Sequence, residues 1–293
     1  MTPFPVDIAR CTVGPGHPCY VIAEIGINHN GSVEQALQLI DVAAGAGCQA
    51  VKFQKRTVEA VYSAEELDRP RESPFGTTNR ALKEGLELGR SDYERIAAHC
   101  SERGIQWFAS CWDEASVDFI EQFDPPCFKV PSALLTLDEL LTHHRKFGRP
   151  ILLSTGMSTM EEIRHAVSVL GRENLVLMHC TSAYPSKPDE LNLKAMATLE
   201  REFSCPVGYS GHEVGLQTTV AAVALGACVV ERHITLDRAA WGSDQAASVE
   251  PQGIARLVRD IRVVEAALGD GRKRVYDSEL PIRAKLRRQE ADL

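Results

Sequence analysis

Short β-rich runs alternate with amphipathic helical stretches along this chain, and the alternation constrains the fold more than any single motif. Strand-like runs occupy 20–25, 50–54, 106–110, 127–131, 150–154, 175–179, 206–210 and 228–234. Helical patterns follow them over 32–46, 91–103, 113–122, 137–147, 159–170, 189–203, 214–225 and 251–267. Ser32, Ser91 and Ser158 stand where N-caps belong, and Glu94 takes the capping-box position after Ser91. The strand runs are nearly continuously apolar, as strands of a covered parallel sheet are. Eight such units in 293 residues favour an α/β fold, a single (β/α)8 TIM barrel, over an open doubly wound sheet. After the first strand the residues are E-I-G-I-N-H-N-G, which do not fit the G-x-G-x-x-G of a dinucleotide-binding turn.

One connection is far longer than the others. Residues 55–90 carry no strand pattern, and a loop of that length over a barrel mouth is a functional lid or a partner-binding insert. The barrel domain is drawn at 1–271. Residues 272–293, short, basic and polar, form a solvated helical tail or, alternatively, an oligomer contact. The net charge of −8 argues against nucleic acid or an anionic membrane as a partner, so an anionic substrate must be met by local cations. No run approaches the ~20 apolar residues of a membrane span. The N-terminal M-T-P-F-P-V-D lacks the features of a signal peptide. Nine cysteines without a C-x-x-C, among them Cys48, Cys180 and Cys228 inside apolar runs, imply reduced core residues in a cytoplasmic protein.

In a barrel the carboxyl ends of the strands converge on one mouth. In strand order they carry Glu24, Lys52 with Gln54, Ser110, Lys129 with Ser132, Ser154 with Thr155, His179 with Thr181 and Ser182, Ser210 with His212, and His233. Lys52 and Lys129 lie inside apolar strands, V-K-F and F-K-V, and a buried ammonium needs an anionic partner. That partner is either an internal carboxylate such as Glu24 or an anionic ligand. Two ammonium groups ringed by serine hydroxyls suit a phosphate and a carboxylate together, as in phosphoenolpyruvate. His212 and His233 supply two nitrogen ligands without a third His or Cys at metal-ligand spacing, which excludes a closed structural zinc site. An open site for Mn²⁺, Fe²⁺, Co²⁺ or Mg²⁺ fits them. His179 sits deeper in an apolar run and is structural or supports the site residues from behind, whereas His29 contacts substrate or caps its turn. His17, His99, His143, His144 and His165 fall on loops or helix faces and are expected at the surface.

The segments A-E-I-G-I-N-H-N-G, V-K-F-Q, A-L-K-E-G-L-E-L, L-S-T-G-M, G-Y-S-G-H-E and V-E-R-H-I-T-L-D-R occur in this order and together resemble the sialic acid synthase family. The resemblance spans roughly 18–268. It implies condensation of phosphoenolpyruvate with a sugar aldehyde, N-acetylmannosamine or a related aldose, to give a nonulosonic or related 3-deoxy-2-keto sugar acid and phosphate. By position, His212 and His233 match the metal ligands, with Mn²⁺ the first expectation and Mg²⁺ or Co²⁺ the alternatives. Lys52, Ser110, Lys129, Ser132, Ser154, Ser182 and Ser210 match phosphoenolpyruvate contacts, Ser110 and Ser182 standing where Thr or Asn is common. Glu24, Tyr184 and Asp244 match acceptor-sugar contacts. A homodimer is implied as well.

Two departures bear on the acceptor. The family's G-S-G-E after the fourth-strand lysine is here P-S-A-L, with Leu134 in place of the carboxylate. The chain ends at Leu293, where a linker to an antifreeze-like domain would begin. Either a separate polypeptide supplies that domain or the acceptor is a different sugar aldehyde, and a changed acceptor is the expectation. The implied mechanism makes the metal a Lewis acid toward the aldehyde oxygen and Glu24 and Asp244 the acid/base candidates, while Lys52 and Lys129 stabilise the anionic groups. The alternatives are a Schiff-base aldolase using Lys52 or Lys129, which leaves the histidine pair unexplained, and a non-catalytic or partner-dependent sugar-acid-binding barrel.

Overall fold

The computed structural model describes residues 3–287. Its central strands are β1 (Tyr20–Gly26), β2 (Ala50–Lys55), β3 (Gln106–Cys111), β4 (Phe128–Val130), β5 (Ile151–Ser154), β6 (Leu175–Cys180), β7 (Val207–Gly211) and β8 (Val229–His233). All are parallel and paired in sequence order, and β8 closes on β1 through Val229–Tyr20 to His233–Glu24. The covering helices are α1 (Val33–Ala46), α2 (Arg90–Arg103), α3 (Glu114–Glu121), α4 (Asp138–Arg145), α5 (Met160–Leu170), α6 (Ala195–Phe203), α7 (Gln217–Ala224) and α8 (Pro251–Leu268). The (β/α)8 barrel expected from the alternation is the fold. Among the described residues no helix is long and apolar enough to cross a membrane.

The strands are apolar on both faces because both are covered. Val21, Ala23, Val51, Phe53, Trp107 and Ala109 pack against the helices. Ile22, Ala50, Phe108, Leu152, Val176 and Val229 fill the barrel axis. Side chains alternate along a strand, so the axis-facing positions continue upward as Glu24, Lys52, Ser110, Lys129, Ser154 and Glu231. The lower barrel is thus a packed apolar core and the upper barrel a polar chamber built from the same strand faces.

Several local features differ from expectation. An antiparallel hairpin, Val6–Ile8 with Cys11–Val13, plugs the floor of the barrel, where Val6, Ile8 and Val13 join the axial core. The 55–90 insert is structured: it holds short helices at Val58–Val61, Ala64–Leu67 and Asn79–Gly85 and a hairpin pairing Pro70–Ser73 with Gly76–Thr78. The helix expected from 189 begins only at Ala195, because Pro188–Glu190 forms a 3-10 turn and Asn192 sits at φ 44°. Ser32 caps α1 as expected, but α2 starts from Gly89, with Asp92 accepting its N–H, and α5 from Thr159. In the tail, Leu280–Leu286 forms a helix whose residues are exposed, and the last six positions lie outside the described residues.

His144, expected at the surface, is wholly buried on α4, its Nδ1 donating to the Leu140 carbonyl at 2.8 Å. Burial lowers its pKa to about 4. The unfolded imidazole takes up a proton below about 6.5, whereas the folded one resists until about 4. This histidine's contribution is therefore intact above pH 6.5 and lost as pH falls toward 4, by up to about 3 kcal/mol. His144→Gln is expected to flatten the decline of the melting temperature across that interval. A slope equal to that of the unaltered protein would refute the assignment.

Candidate active site

Twelve of the residues singled out from sequence line one cavity of 230 Å³ at the carboxyl ends of the strands: Glu24, Lys52, Gln54, Ser110, Lys129, Ser132, Ser154, Ser182, Tyr184, Ser210, His212 and His233. Asp244 is not on that lining. It neighbours His233, its carboxylate 3.8 Å from Nδ1, and accepts the Ser243 hydroxyl at 2.7 Å. Sequence reasoning missed Glu231, Trp112 and Cys180, which line the cavity too. Glu231 was legible: it is a carboxylate inside the apolar run V-V-E-R-H, two positions before His233 and so on the same strand face.

The two buried lysines do have carboxylate partners. Lys52 Nζ lies 2.9 Å from Glu24 and 3.7 Å from Glu231, and Lys129 Nζ lies 3.2 Å from Glu231. All four side chains are nearly sealed from solvent. Lys52 also donates to Ser110 Oγ at 2.7 Å, and Ser210 Oγ donates to Glu231 at 3.1 Å. Burial would raise both carboxyls, but their charge neighbours differ. At Glu231 the ammonium groups of Lys129 and Lys52 outweigh burial and hold the carboxyl well below the usual range. At Glu24 burial wins over Lys52, helped by the Glu231 charge, and lifts the carboxyl to about 7. Burial lowers Lys129, whereas the two carboxylates overcome burial at Lys52 and raise it. The quartet thus holds one firm carboxylate, one firm ammonium and two groups drawn toward neutrality.

Gln54 donates to Glu24 Oε1 at 3.3 Å, and Arg56 in turn donates to the Gln54 carbonyl oxygen. The Glu87 carboxylate meets Lys55 Nζ and Arg56 Nε, each at 3.1 Å, which ties the insert to the end of β2. On the far wall Ser132 Oγ accepts the Gly156 N–H at 3.0 Å and lies 3.2 Å from Cys180 Sγ. A Cβ on Gly156 would stand 2.3 Å from Ser182 Oγ and 2.8 Å from Ser132 Oγ, so only glycine lets these hydroxyls converge. Leu134 is buried in the apolar core and brings no charge to the site.

The histidine rings lie 5.6 Å apart, centroid to centroid. His212 Nδ1 donates to the Thr181 carbonyl at 2.9 Å, which leaves Nε2 as the lone-pair nitrogen, and the Tyr184 hydroxyl donates to it at 3.0 Å. Burial, with the neighbouring His233 ring disfavouring charge, lowers His212 to about 4, and burial lowers His233 as well. Both are neutral imidazoles at physiological pH. Immediately outside the chamber, Arg232 Nη1 lies 3.2 Å from Glu213, both essentially inaccessible, and Arg232 Nη2 donates to the Glu213 carbonyl. His212 and His233 thus stand beside the two members of this outward pair. Elsewhere, His179 on β6 bonds the Leu191 carbonyl at 2.7 Å, and His29 Nδ1 accepts the Gly31 N–H at 3.1 Å in the turn after β1. Among the described residues no group of three or more His, Cys, Asp or Glu converges as a complete metal cage.

Known proteins align with this architecture. Residues 39–273 match the family model described as the NeuB family. N-acetylneuraminate-9-phosphate synthase of Mus musculus is 39% identical over 97% of this chain and 81% of its own length. N,N'-diacetyllegionaminic acid synthase of Legionella pneumophila is 37% identical over 94% of this chain and 80% of its own. The crystal structure of N-acetylneuraminic acid synthetase from Leptospira borgpetersenii superimposes with a TM-score of 0.85 at 29% identity, covering 98% of this chain and 99% of that one. A truncated 3-deoxy-D-arabino-heptulosonate 7-phosphate synthase from Thermotoga maritima shares the fold at a TM-score of 0.71 and 16% identity. A chain with this barrel, matched over most of its length by named synthases, is an enzyme and belongs to the NeuB family.

Proposed function

We propose that this enzyme condenses phosphoenolpyruvate with a sugar aldehyde to make a sialic-type sugar acid, with a divalent metal held by His212 and His233. The observation that carries the reading is the buried quartet Glu24, Lys52, Lys129 and Glu231 beneath a ring of serine hydroxyls. Lys52, Lys129, Ser132, Ser154 and Ser182 supply donors to a phosphate and a carboxylate. Their low-dielectric setting strengthens each contact and keeps the donors in place before substrate arrives.

The histidines fit a metal: both are neutral, His212 presents a fixed lone pair, and the buried His233 Nδ1 has no hydrogen-bond partner. An ion held there, Mn²⁺ foremost and Mg²⁺ or Co²⁺ next, would supply Lewis acidity toward the aldehyde oxygen. Carbon 3 of phosphoenolpyruvate attacks the aldehyde carbon, a C–C bond forms, and the aldehyde oxygen takes a proton. Water adds to carbon 2, and the tetrahedral intermediate then breaks its C–O bond to phosphate and becomes the ketone. Glu24, poised near neutrality, holds the proton exchanged in water addition, with Gln54 fixing its orientation. Tyr184 and Asp244 flank the histidines and position the acceptor.

Phosphate release from phosphoenolpyruvate, measured with Mn²⁺ and a panel of aldoses, tests the proposal. Activity is expected with one acceptor class, is abolished by EDTA and restored by Mn²⁺, and falls at least about 10³-fold in His212→Ala. EDTA-insensitive turnover would remove the metal from the mechanism, and silence with every aldose would remove the condensation.

A further inference from the structure

A cavity of 550 Å³ lies among the loops that follow β7 and β8, on the side of the barrel wall that Arg232 faces, and shares no lining residue with the catalytic one. Three arginines line it: Arg232, Arg238 and Arg256. Arg232 is 1% exposed, and its buried Nε has no hydrogen-bond partner. The Arg238 guanidinium donates to the Ala246 carbonyl, at 3.0 Å from Nε. Arg256 has neither an ion-pair nor a hydrogen-bond partner among the described residues. Glu213 offsets the charge of Arg232, and Glu250, on the lining, offsets that of Arg238, so Arg256 is the surplus cation.

The same cavity receives the N-terminus of α8, an 18-residue helix. Glu250 occupies its N-cap position but makes no side-chain cap; its carboxylate accepts the Arg238 N–H at 3.2 Å instead. The positive end of the helix dipole and its first free amides therefore add to the arginines. Val214 and Leu236, both exposed, are apolar parts of the lining. A phosphate group occupies only a small part of such a volume.

This cavity is fastened to the backbone of both metal-site histidines. On its wall the Val249 N–H donates to the His233 carbonyl at 2.7 Å, and Ser248 Oγ donates to the Asp244 carbonyl at 2.6 Å. Arg232 donates to the carbonyls of Glu213, at 2.6 Å, and Gly215, at 2.8 Å, in the segment directly after His212. We infer that the cavity is a binding site for a phosphate ester, with the phosphate between Arg256, Arg232 and the start of α8 and the body of the ligand against Val214 and Leu236. A ligand there braces the two segments that carry His212 and His233, and so tightens the metal site from outside the chamber. This second clause rests on the reading that the histidines hold a metal; the phosphate site does not.

The test is calorimetry with phenyl phosphate and with inorganic phosphate. It uses the unaltered protein, Arg256→Glu, and the double variant Ser132→Ala/Ser182→Ala, whose changes lie in the catalytic cavity. Arg256 is exposed and unpartnered, so its replacement leaves the fold intact. Phenyl phosphate is expected to bind the unaltered protein more tightly than inorganic phosphate does. Arg256→Glu should weaken it at least about 10-fold, the loss of one hydrogen bond to a charged group, and the double variant should leave it within about twofold. Absence of binding, or binding that the double variant weakens and Arg256→Glu does not, would overturn the site. Equal affinity for both probes would overturn the ester and its apolar contacts. Phenyl phosphate should also tighten Mn²⁺ binding at least about fivefold in the unaltered protein and not in Arg256→Glu. Unchanged or weaker Mn²⁺ affinity would overturn the bracing, whereas phosphate binding in a protein that takes up no Mn²⁺ would keep the site and sink the metal reading.

Discussion

Glu231→Gln is expected to cost about 3–5 kcal/mol of stability and roughly 10²–10³ in kcat/KM. The carboxylate lies between two ammonium groups, 3.2 Å from Lys129 and 3.7 Å from Lys52, with all three side chains sealed from solvent. Glutamine keeps the shape and the acceptor for Ser210 but leaves Lys129 without the carboxylate nearest to it. An unpaired buried ammonium either unfolds its surroundings or gives up its proton, and Lys129 is already shifted downward. A decisive addition is inorganic phosphate. If the lysines form an anion site, phosphate replaces the missing charge and raises the melting temperature of the variant more than that of the unaltered protein. An equal rise in both would show that the lysines are a structural pair and not a receptor for substrate anions.

Arg232→Met is expected to be comparably destabilising, by about 3–5 kcal/mol in urea unfolding, because it strands Glu213 as a buried charge. The guanidinium also donates to the Gly215 carbonyl at 2.8 Å and to Thr219 Oγ1 at 2.8 Å, so methionine removes a whole set of contacts between β8 and the segment after β7. Side chains alternate across the barrel wall: His212 and His233 face in, and their sequence neighbours Glu213 and Arg232 face out. The outward pair therefore sets the spacing of the inward one. Arg232→Met should accordingly weaken Mn²⁺ binding by at least about 10-fold, measured by calorimetry under conditions where the variant is still folded. The double variant Arg232→Met/Glu213→Gln should regain stability, since no charge is left stranded, but not metal affinity. Recovery of both together would show that the pair acts on stability alone.

The barrel itself was legible because buried parallel strands carry apolar side chains on both faces, which makes each run conspicuous. Strand ends fell within a residue or two of expectation for the same reason: Lys52, Lys129 and His233 mark where the axis turns polar. The hairpin of Val6–Ile8 and Cys11–Val13 was not legible, since three-residue strands give a period-two signal too little length. The insert shows no strand pattern in sequence because its helices are only one or two turns long and its hairpin strands are exposed, so neither periodicity develops. Its caps were nevertheless present: Ser63 and Thr78 accept from Glu66 and Ala81 N–H groups. His144 was misplaced because a helix face gives its direction only through its neighbours, and Leu140 and Leu141 mark the buried face on which it lies. The site residues were found by their position at strand ends. Glu231 lies one step below the strand end, two residues before His233 on the same face, so a search confined to strand ends passes over it.

Closure of β8 on β1 has a consequence for the nascent chain. From the moment Gly26 leaves the ribosome until His233 does, β1 carries an unsatisfied row of backbone donors and acceptors on one side. Each shorter species is an open sheet with a growing strand at one margin and β1 waiting at the other, a template for pairing with another unfinished copy. The hazard ends only when the last strand is delivered and pairs with β1.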